Sequence, residues 1–408
     1  MTRPLEGIRV LDMSRILAGP LTAQWLADLG ADVIKIERPG TGDDSRLYGP
    51  PFLDTGAEAD GRMSGFYASC NRNKKSVTVN LGSAGGQKII RDLAAQSDIL
   101  VENFRVDALK RHGLDYESLK SVNPGLIYCS ITGFGQTGPY RHRPGYDGIF
   151  QALGGLASVS GHADDKPGGG PMKVGISIVD VMSSYQAAFA ITAALYHRDQ
   201  NGGVGQHIDL SLLDVGVATL SHYAQNFLIT GQVPKRRGNA GYGGVPSQNF
   251  NCQDGAIFLT AGNDLQYQRL CKAICRPDLI DHPLFKTNEL RTANRDALSA
   301  QMETTFLDKP VSVWLECLER AEVPVAPVNT IDKVFADPQI QHRQMLQNVS
   351  HPTIGQVPLV ANPLRFSNTP PTAYEAPPML GADTRTVLME RLGLNEVDCD
   401  QLAHDGVI

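Results

Sequence analysis

"GIRVLDMSRILAGPLTAQWLADLGADVIKIE" occupies residues 7–37 and decides the fold. Two apolar, β-branched runs, at 7–13 and 31–37, flank the helical pattern "PLTAQWLADLG". A strand, a helix and a second strand in close succession are typical of a βαβ unit, in which both strands run parallel in one sheet. This stretch therefore predicts an α/β protein.

The same alternation continues along the first third of the chain. Further strand-like runs lie at 75–81, 98–104 and 125–132, with helical segments between them. We therefore predict a Rossmann-like parallel sheet with helices on both faces, which forms a large domain. The Gly-rich "RRGNAGYGGVPSQ" at 236–248 breaks this pattern, and the strands and helices that follow it predict a smaller α+β domain.

These changes of pattern give a domain division. It has four parts: the N-terminal part of the large α/β domain, which is expected to hold the ligand-binding residues, linker helices, the small α+β domain with the Gly-rich loop at its start, and a Pro-rich extended linker that returns to the large domain. Their predicted bounds are 1–200, 201–235, 236–328 and 329–408.

Composition excludes several classes of function. The net charge of −6 argues against a nucleic-acid or polybasic membrane partner. The N-terminus lacks a signal-peptide apolar region, and no uninterrupted apolar run reaches the length of a membrane span, so we expect a cytoplasmic protein. The seven cysteines are spread along the chain and are expected to be reduced. The ten histidines form no ligand-spaced pair, so no metal site is expected.

Asp180 stands out within the apolar stretch "VGISIVDVMSSYQAAFAITAAL" at 174–195. Ile176, Ile178 and Val179 suggest a short strand or extended segment, and helical spacing begins after them, so Asp180 is placed at the start of a helix. Aspartate is a favoured N-cap residue. A carboxylate in apolar surroundings is also costly unless it has a use, so a chemical role is the alternative.

One motif suggests a dinucleotide-binding enzyme. "GFGQTG" at 133–138 matches G-x-G-x-x-G and follows a predicted strand. That fingerprint requires a helix after the glycines and an acidic residue on the next strand. Pro139, Pro144 and Gly145 interrupt such a helix, so the match carries little weight.

Several longer strings, in order along the chain, resemble the class III CoA-transferases, the family of the formyl-CoA and carnitine CoA-transferases. They are "GIRVLDMSRILAGP", "LGADVIKIERPGTGDDSR", "NRNKKSVTVNL", "VENF", "IYCSITGFGQTGP", "PGYD" and "DVMSSYQAAFAITAALYHRDQNGGVGQHIDLSLLD". The resemblance implies a large α/β domain, a smaller domain and an interlocked homodimer. It is nearest to the members that exchange CoA between succinyl-CoA and a dicarboxylate such as glutarate.

The resemblance also implies site residues. The catalytic residue of the family falls on Asp180, and its mobile glycine loop falls on Gly241, Gly243 and Gly244. The CoA-binding positions are matched by Ile16 and Leu17 near the adenine, Arg38 near the phosphates, and Asn73, Lys75, Asn103, Arg111 and Tyr146. A lysine that some members place before the "Y-D" pair is Pro144 here.

A carboxylate suits such a reaction. Its attack on a thioester gives a mixed anhydride, which keeps the group-transfer potential that a stable ester would lose. An acyl-CoA and a small carboxylic acid are thus the expected substrates, and no permanently bound cofactor is expected. A second carboxylate on the acceptor needs a nearby cation, for which Arg15, His142 and Arg143 are candidates.

Three alternatives remain open at this stage. Formyl-CoA or acetyl-CoA with oxalate could replace the succinyl-CoA and glutarate pair. An α-methylacyl-CoA racemase would need a histidine that corresponds here to Tyr146, a poor base at neutral pH; the neighbouring Asp147 is expected to orient the loop or cap the following helix. A non-catalytic CoA-binding protein would not need Asp180 or the glycine loop.

Overall fold

The computed structural model describes residues 3–54, 63–241, 243–371 and 373–408. Its strands are β1 (Arg9–Asp12), β2 (Asp32–Glu37), β3 (Phe52–Leu53), β4 (Met63–Ser64), β5 (Lys74–Thr78), β6 (Ile99–Glu102), β7 (Ile127–Thr132), β8 (His207–Ser211), β9 (Ser247–Asn251), β10 (Ala256–Thr260), β11 (Val325–Pro327), β12 (Leu346–His351) and β13 (Gly355–Val360). Its α-helices are α1 (Ala18–Asp28), α2 (Gly65–Cys70), α3 (Ala84–Ala94), α4 (Tyr116–Leu119), α5 (Asp147–Leu153), α6 (Leu156–Val159), α7 (Ile178–Gln200), α8 (Leu212–Thr219), α9 (His222–Thr230), α10 (Asp264–Ala273), α11 (Asn288–Ala293), α12 (Arg295–Phe306), α13 (Val311–Arg320), α14 (Ile331–Ala336), α15 (Pro338–His342), α16 (Thr384–Leu392) and α17 (Glu396–His404). Single 3-10 turns lie at Asp44–Leu47, Lys110–His112 and Pro277–Leu279.

The chain forms two compact units. The first comprises 1–156, 174–231 and 341–408, and the second comprises 157–173 and 232–340. Residues 157–173 thus belong with the unit that holds the Gly-rich loop, and 201–231 with the unit that holds the large sheet. The bounds of the functional domains given above stay a prediction.

A six-stranded parallel sheet organises the first unit. Its strands lie in the order β5-β2-β1-β6-β7-β8, and every neighbouring pair is parallel. Counted in chain order within this sheet, that order is 3-2-1-4-5-6, the doubly wound order of dinucleotide-binding folds. The prediction of an α/β protein with a parallel sheet is confirmed. The strand order reverses between β1 and β6: earlier strands are added on one side of β1 and later strands on the other. The carboxyl ends of these two parallel strands therefore border a crevice.

Alternating side chains of the strands form two cores. Val10 packs on the face covered by α1 and α7, and Leu11 packs on the opposite face with α3, α16 and α17. Every residue of β1, β6 and β7 after Arg9 is buried. Strands covered on both faces are expected to be continuously apolar, which is the pattern that made them recognisable in the sequence.

Helix α7 begins earlier than the sequence indicates. Ile178 and Val179 are already helical, and Ser177 is the N-cap residue. The expectation of a strand or extended segment is therefore wrong for Ile178 and Val179, and Asp180 is the third residue of the helix. By length and composition alone α7 could cross a bilayer, but it packs against α1, β7 and α8, as a core helix does.

The second unit is an α+β arrangement. Its sheet has the order β11-β10-β9, with both pairs antiparallel. Helices α10, α12 and α13 supply a core that includes Phe250, Tyr267, Phe306 and Trp314. The Trp314 indole nitrogen donates to the Phe306 carbonyl at 2.8 Å, which satisfies its buried N–H.

Candidate active site

A cavity of about 300 Å³ in the first unit has Asp180 in its wall. It opens at the switch point between β1 and β6, because the segments that follow these two strands line it. These segments contribute Arg15, Ile16, Leu17, Asn103, Phe104 and Arg105, and the segment after β7 contributes Arg141, His142, Arg143 and Tyr146. The structure thus brings Asp180 together with all three predicted carboxylate-binding candidates and four of the predicted CoA-binding residues.

The segments after β1 and β6 are fastened to each other by Asn103. Its side-chain oxygen accepts from the Arg15 backbone N–H at 2.8 Å, and its Nδ2 donates to the Arg15 carbonyl at 2.7 Å. Ile16 has a φ of 71°, which is uncommon for a β-branched residue. The Asp43 carboxylate accepts from its N–H at 3.1 Å and so supports this conformation.

Buried charges lie beneath this turn. Lys35 pairs with Asp43 at 2.9 Å, and Lys74 pairs with Asp12 at 2.9 Å, with both pairs almost fully excluded from solvent. Lys35 Nζ also donates to the Ser14 carbonyl at 2.9 Å. Burial opposes ionisation of Asp12 and Asp43, but the neighbouring lysines more than compensate, so the pKa of each carboxyl is lowered, to about 2 for Asp43. The two carboxylates therefore stay ionised and support the turn from below, although burial lowers the pKa of Lys74.

The Asp180 carboxylate is not used as a cap. The side chain of Ser177, the N-cap residue, makes no capping hydrogen bond. No described residue donates a hydrogen bond to the Asp180 carboxylate. Burial, and then the nearby Asp147 carboxylate, raise its pKa to about 7. A carboxylate with unoccupied lone pairs and little solvation is a competent nucleophile once it is ionised.

A second cavity, of about 310 Å³, adjoins the same segments. Arg38, Arg111 and His112 line it, and Arg15 and Phe104 line both cavities. The aliphatic side chains of Ile36, Val79, Leu81 and Leu109 form much of its wall. Glu37 and Asp43 also line it, and their charges are paired with Arg46 and Lys35. A pocket that is apolar in its body and cationic at its edge suits a nucleotide that carries phosphates.

Two predicted CoA-binding residues lie outside both cavities. Asn73 bonds Asp28 at 2.8 Å and receives a bond from the Glu375 backbone N–H at 2.6 Å. Lys75 pairs with Asp32 at 2.8 Å. In this structure both side chains connect elements of the first unit.

The predicted glycine loop lies in the second unit. Gly243 has a φ of 117°, a conformation that other residues rarely adopt. A Cβ at Gly244 would lie 2.3 Å from the Cα of Gly262, so only glycine fits there. Gly241 donates its N–H to the Ser247 carbonyl at 2.7 Å.

Comparison with protein families identifies the chain. The model for CoA-transferase family III matches residues 5–384. The chain belongs to CoA-transferase family III. The prediction of a CoA-transferase of this class is thereby confirmed.

Individual relatives agree with this assignment. The chain is 41% identical to the human succinyl-CoA:glutarate CoA-transferase over 406 residues, which is 100% of this chain and 90% of that protein. It is 41% identical to a succinate–glutarate CoA-transferase of Agrobacterium fabrum over 388 residues, 95% of each. A crystal structure of a CAIB/BAIF family protein from Brucella suis superimposes with a TM-score of 0.86 and 39% identity, covering 96% of this chain and all of the other.

Sequence reasoning missed some residues of the Asp180 cavity. Arg105 and Arg141 line it, yet neither stood out, because arginines on loops are common and neither lies in an unusual pattern. The Asp147 carboxylate contacts the start of α7 from another helix, where the sequence suggested only a local cap. A contact between residues 32 positions apart leaves no local signal.

Proposed function

We propose that this CoA-transferase moves CoA from succinyl-CoA to a dicarboxylic acid such as glutarate, with Asp180 as the covalent relay. The observation that carries the proposal is the Asp180 cavity. It holds one carboxylate with no hydrogen-bond donor among the described residues, in a wall that also carries four arginines and a histidine. Similarity to enzymes named for succinyl-CoA and glutarate supports the same substrate pair.

The reaction is a pair of exchanges. The Asp180 carboxylate attacks the thioester carbonyl of succinyl-CoA, the C–S bond breaks, and a mixed anhydride and CoA thiolate result. The thiolate attacks the Asp180 carbonyl carbon and releases succinate, which leaves an aspartyl-CoA thioester. The acceptor carboxylate then attacks this thioester, and the released thiolate takes the acyl group of the second anhydride. Asp180 is regenerated, and no proton is gained or lost.

CoA binds, in this proposal, with its nucleotide in the second cavity. Arg38 and Arg111 at its edge would pair with phosphates. Ile16 and Leu17, which the resemblance places near the adenine, line the Asp180 cavity and not the second cavity, so we assign them, with Asn103 and Tyr146, to contacts with the CoA arm near Asp180. In the glycine loop, the backbone N–H groups of Gly243 and Gly244 are proposed to stabilise the oxyanion, because glycine permits close approach, whereas the Gly241 N–H already bonds the Ser247 carbonyl. The binding energy of the remote nucleotide then serves to position the thioester.

Arg15 is the first candidate for the distal carboxylate of the acceptor. Its Nη1 pairs with Asp44 at 3.1 Å, but its Nε is buried and has no hydrogen-bond partner among the residues that the structure describes. A buried unpaired N–H is costly, and a ligand carboxylate would satisfy it. His142 and Arg143 are further candidates at the same wall.

We also propose that the enzyme is an interlocked cytoplasmic homodimer. The exposed sides of α7 and α9 carry large apolar residues that a partner subunit would bury; they include Phe189, Tyr196, Leu228 and Ile229, each more than 70% exposed. Light scattering coupled to size-exclusion chromatography checks this proposal, since a monomer would contradict it.

An acceptor series tests the function. The purified protein is incubated with succinyl-CoA and either glutarate or valerate, a monocarboxylate with the same number of carbons, and the acyl-CoA products are separated by chromatography. We expect glutaryl-CoA from the wild type and none from Asp180→Ala. Arg15→Gln should lower kcat/KM for glutarate by about tenfold or more and for valerate far less, since only glutarate needs the second cation. Failure to form glutaryl-CoA would refute the proposed substrate pair.

A further inference from the structure

The start of α7 is capped by a side chain from another helix. Asp147, the first residue of α5, accepts hydrogen bonds from the N–H groups of Val179 at 2.8 Å and Asp180 at 3.2 Å. These are the second and third residues of α7, whose N–H groups an N-cap side chain normally satisfies. Asp147 therefore caps α7 in place of the Ser177 side chain, which makes no capping hydrogen bond.

Gln151 holds the cap in place. It lies one turn further along α5 and is fully buried. Its Nε2 donates to the other carboxylate oxygen of Asp147 at 2.5 Å and to the Ile176 carbonyl at 3.2 Å, and its Oε1 accepts from the Val174 N–H at 2.7 Å. One pair of side chains on α5 thus fixes the segment from Val174 to Asp180.

This arrangement has a consequence for Asp180. In a capping box, the side chain of the third helical residue folds back onto the N-cap backbone. Asp180 occupies that position in α7 but makes no such bond. Because the cap comes from α5, the Asp180 carboxylate is not needed for capping and faces the cavity.

We propose that Asp147 is a positioning residue for the nucleophile: its carboxylate caps α7 in place of a local side chain, and its negative charge sets the pH range in which Asp180 is ionised. This proposal rests on the proposed role of Asp180 in CoA transfer. It assigns no contact with substrate to Asp147, which is buried.

Electrostatics agree with the geometry. The Asp147 charge is, after burial, the second cause of the raised pKa of Asp180. Other charged or titratable groups face the same cavity from the neighbouring segments; they are Arg15, Asp44, Arg105, Arg141, His142, Arg143 and Tyr146. The charge of Asp44 acts in the same direction as that of Asp147 and the arginines act in the opposite direction, but burial and Asp147 are the causes of the raised pKa of Asp180.

The test removes the charge and keeps the shape. Asp147→Asn retains an oxygen for the two N–H groups of α7, and Asp147→Asn/Gln151→Glu also retains the bond between the two α5 side chains while the charge moves one turn away. Asp214→Asn is the matched control, because it removes an exposed carboxylate from α8, which packs against α5. The rate of adduct formation with succinyl-CoA in a single turnover is measured from pH 5.5 to 8.5, and the pKa of Asp180 is measured in parallel by ¹³C NMR of aspartate-labelled protein without substrate.

We expect a wild-type midpoint near pH 7 and an unchanged midpoint in Asp214→Asn. In Asp147→Asn the midpoint should fall by about one pH unit. The rate at pH 5.5, taken as a fraction of each protein's own plateau, should then be about eightfold higher in the variant than in the wild type. The double variant should shift in the same direction. A purely structural role would lower the plateau and leave the midpoint in place, and that result would overturn the proposal. If the wild type forms no adduct, the proposed function is wrong. If Asp147→Asn leaves the NMR titration of Asp180 unchanged, the proposed role of Asp147 is wrong, whether or not the adduct forms.

Discussion

Replacing Asp180 by asparagine should stabilise the protein at alkaline pH and do much less at acidic pH. The pKa of Asp180 rises from 3.8 to about 7 on folding. The folded state therefore holds a proton that the unfolded state has released between these values, and the wild type loses stability as pH rises through this window. Asparagine cannot ionise, so the variant does not lose this contribution.

The size of the effect follows from the shift. With 1.36 kcal/mol for each pKa unit, the raised pKa of Asp180 lowers the free energy of unfolding, relative to its value at low pH, by about 1.7 kcal/mol at pH 5 and about 4 kcal/mol at pH 8. These are upper limits, because Asp180 is only partly buried and solvent screens part of the interaction. We therefore expect the stability of Asp180→Asn relative to wild type to increase by about 1 to 2.5 kcal/mol between pH 5 and pH 8.

Urea denaturation followed by circular dichroism at both pH values measures this difference. Asp214→Asn serves again as control, because it removes an exposed carboxylate from α8. An Asp180→Asn variant that differs from wild type by the same free energy at pH 5 and pH 8 would refute the assignment of a raised pKa to this carboxyl.

Three further substitutions test individual contacts in the two units. Asn103→Ala removes both bonds to the Arg15 backbone and should raise KM for the acyl-CoA more than it lowers kcat in steady-state kinetics. Asn123→Ala is the control: it removes two comparable bonds to the Ala94 and Ser97 carbonyls and should leave KM unchanged. Lys74→Met leaves Asp12 buried and unpaired and should cost about 3 to 5 kcal/mol in urea denaturation, part of which Asp12→Asn/Lys74→Met should recover; equal losses in both variants would contradict the pairing. Gly244→Ala places a Cβ 2.3 Å from Gly262 and should cost about 1 to 3 kcal/mol, whereas Gly148→Ala, which meets no atom within 4 Å, should be tolerated; a thermal-shift assay distinguishes the two.

The sheet was predictable because its strands are covered on both faces. Continuous apolar runs with short helical segments between them predicted β1, β2, β5, β6 and β7 within a few residues. The strand order depends on pairing between distant segments and left no trace in the local pattern. It is nevertheless this order, with its reversal between β1 and β6, that places the cavity.

The boundary of α7 shows where local reasoning failed. Ile176, Ile178 and Val179 are β-branched, and such residues favour strands when no other contact intervenes. The Asp147 carboxylate supplies that contact by satisfying the first free N–H groups of the helix. Tertiary structure thus overrode a weak local preference.

The proposed nucleophile, Asp180, was visible in the sequence, but its environment was not. Asp180 stood out as an isolated charge in an apolar stretch. Neither composition nor spacing indicates that Asn73 bonds Asp28 and that Lys75 pairs with Asp32. The same holds for the Nε of Arg15, which has no partner among the described residues. These features depend on side-chain contacts between distant parts of the chain.

The mass of the intact protein after brief incubation with succinyl-CoA alone tests the covalent relay most directly. We expect an added mass of CoA, less one water, carried by Asp180 in peptide mapping and absent from Asp180→Asn. Hydroxylamine should remove this mass and leave a hydroxamate at Asp180, because the thioester carbonyl is that of the side chain. A wild-type protein that transfers CoA to glutarate without any adduct on Asp180 would contradict the covalent relay.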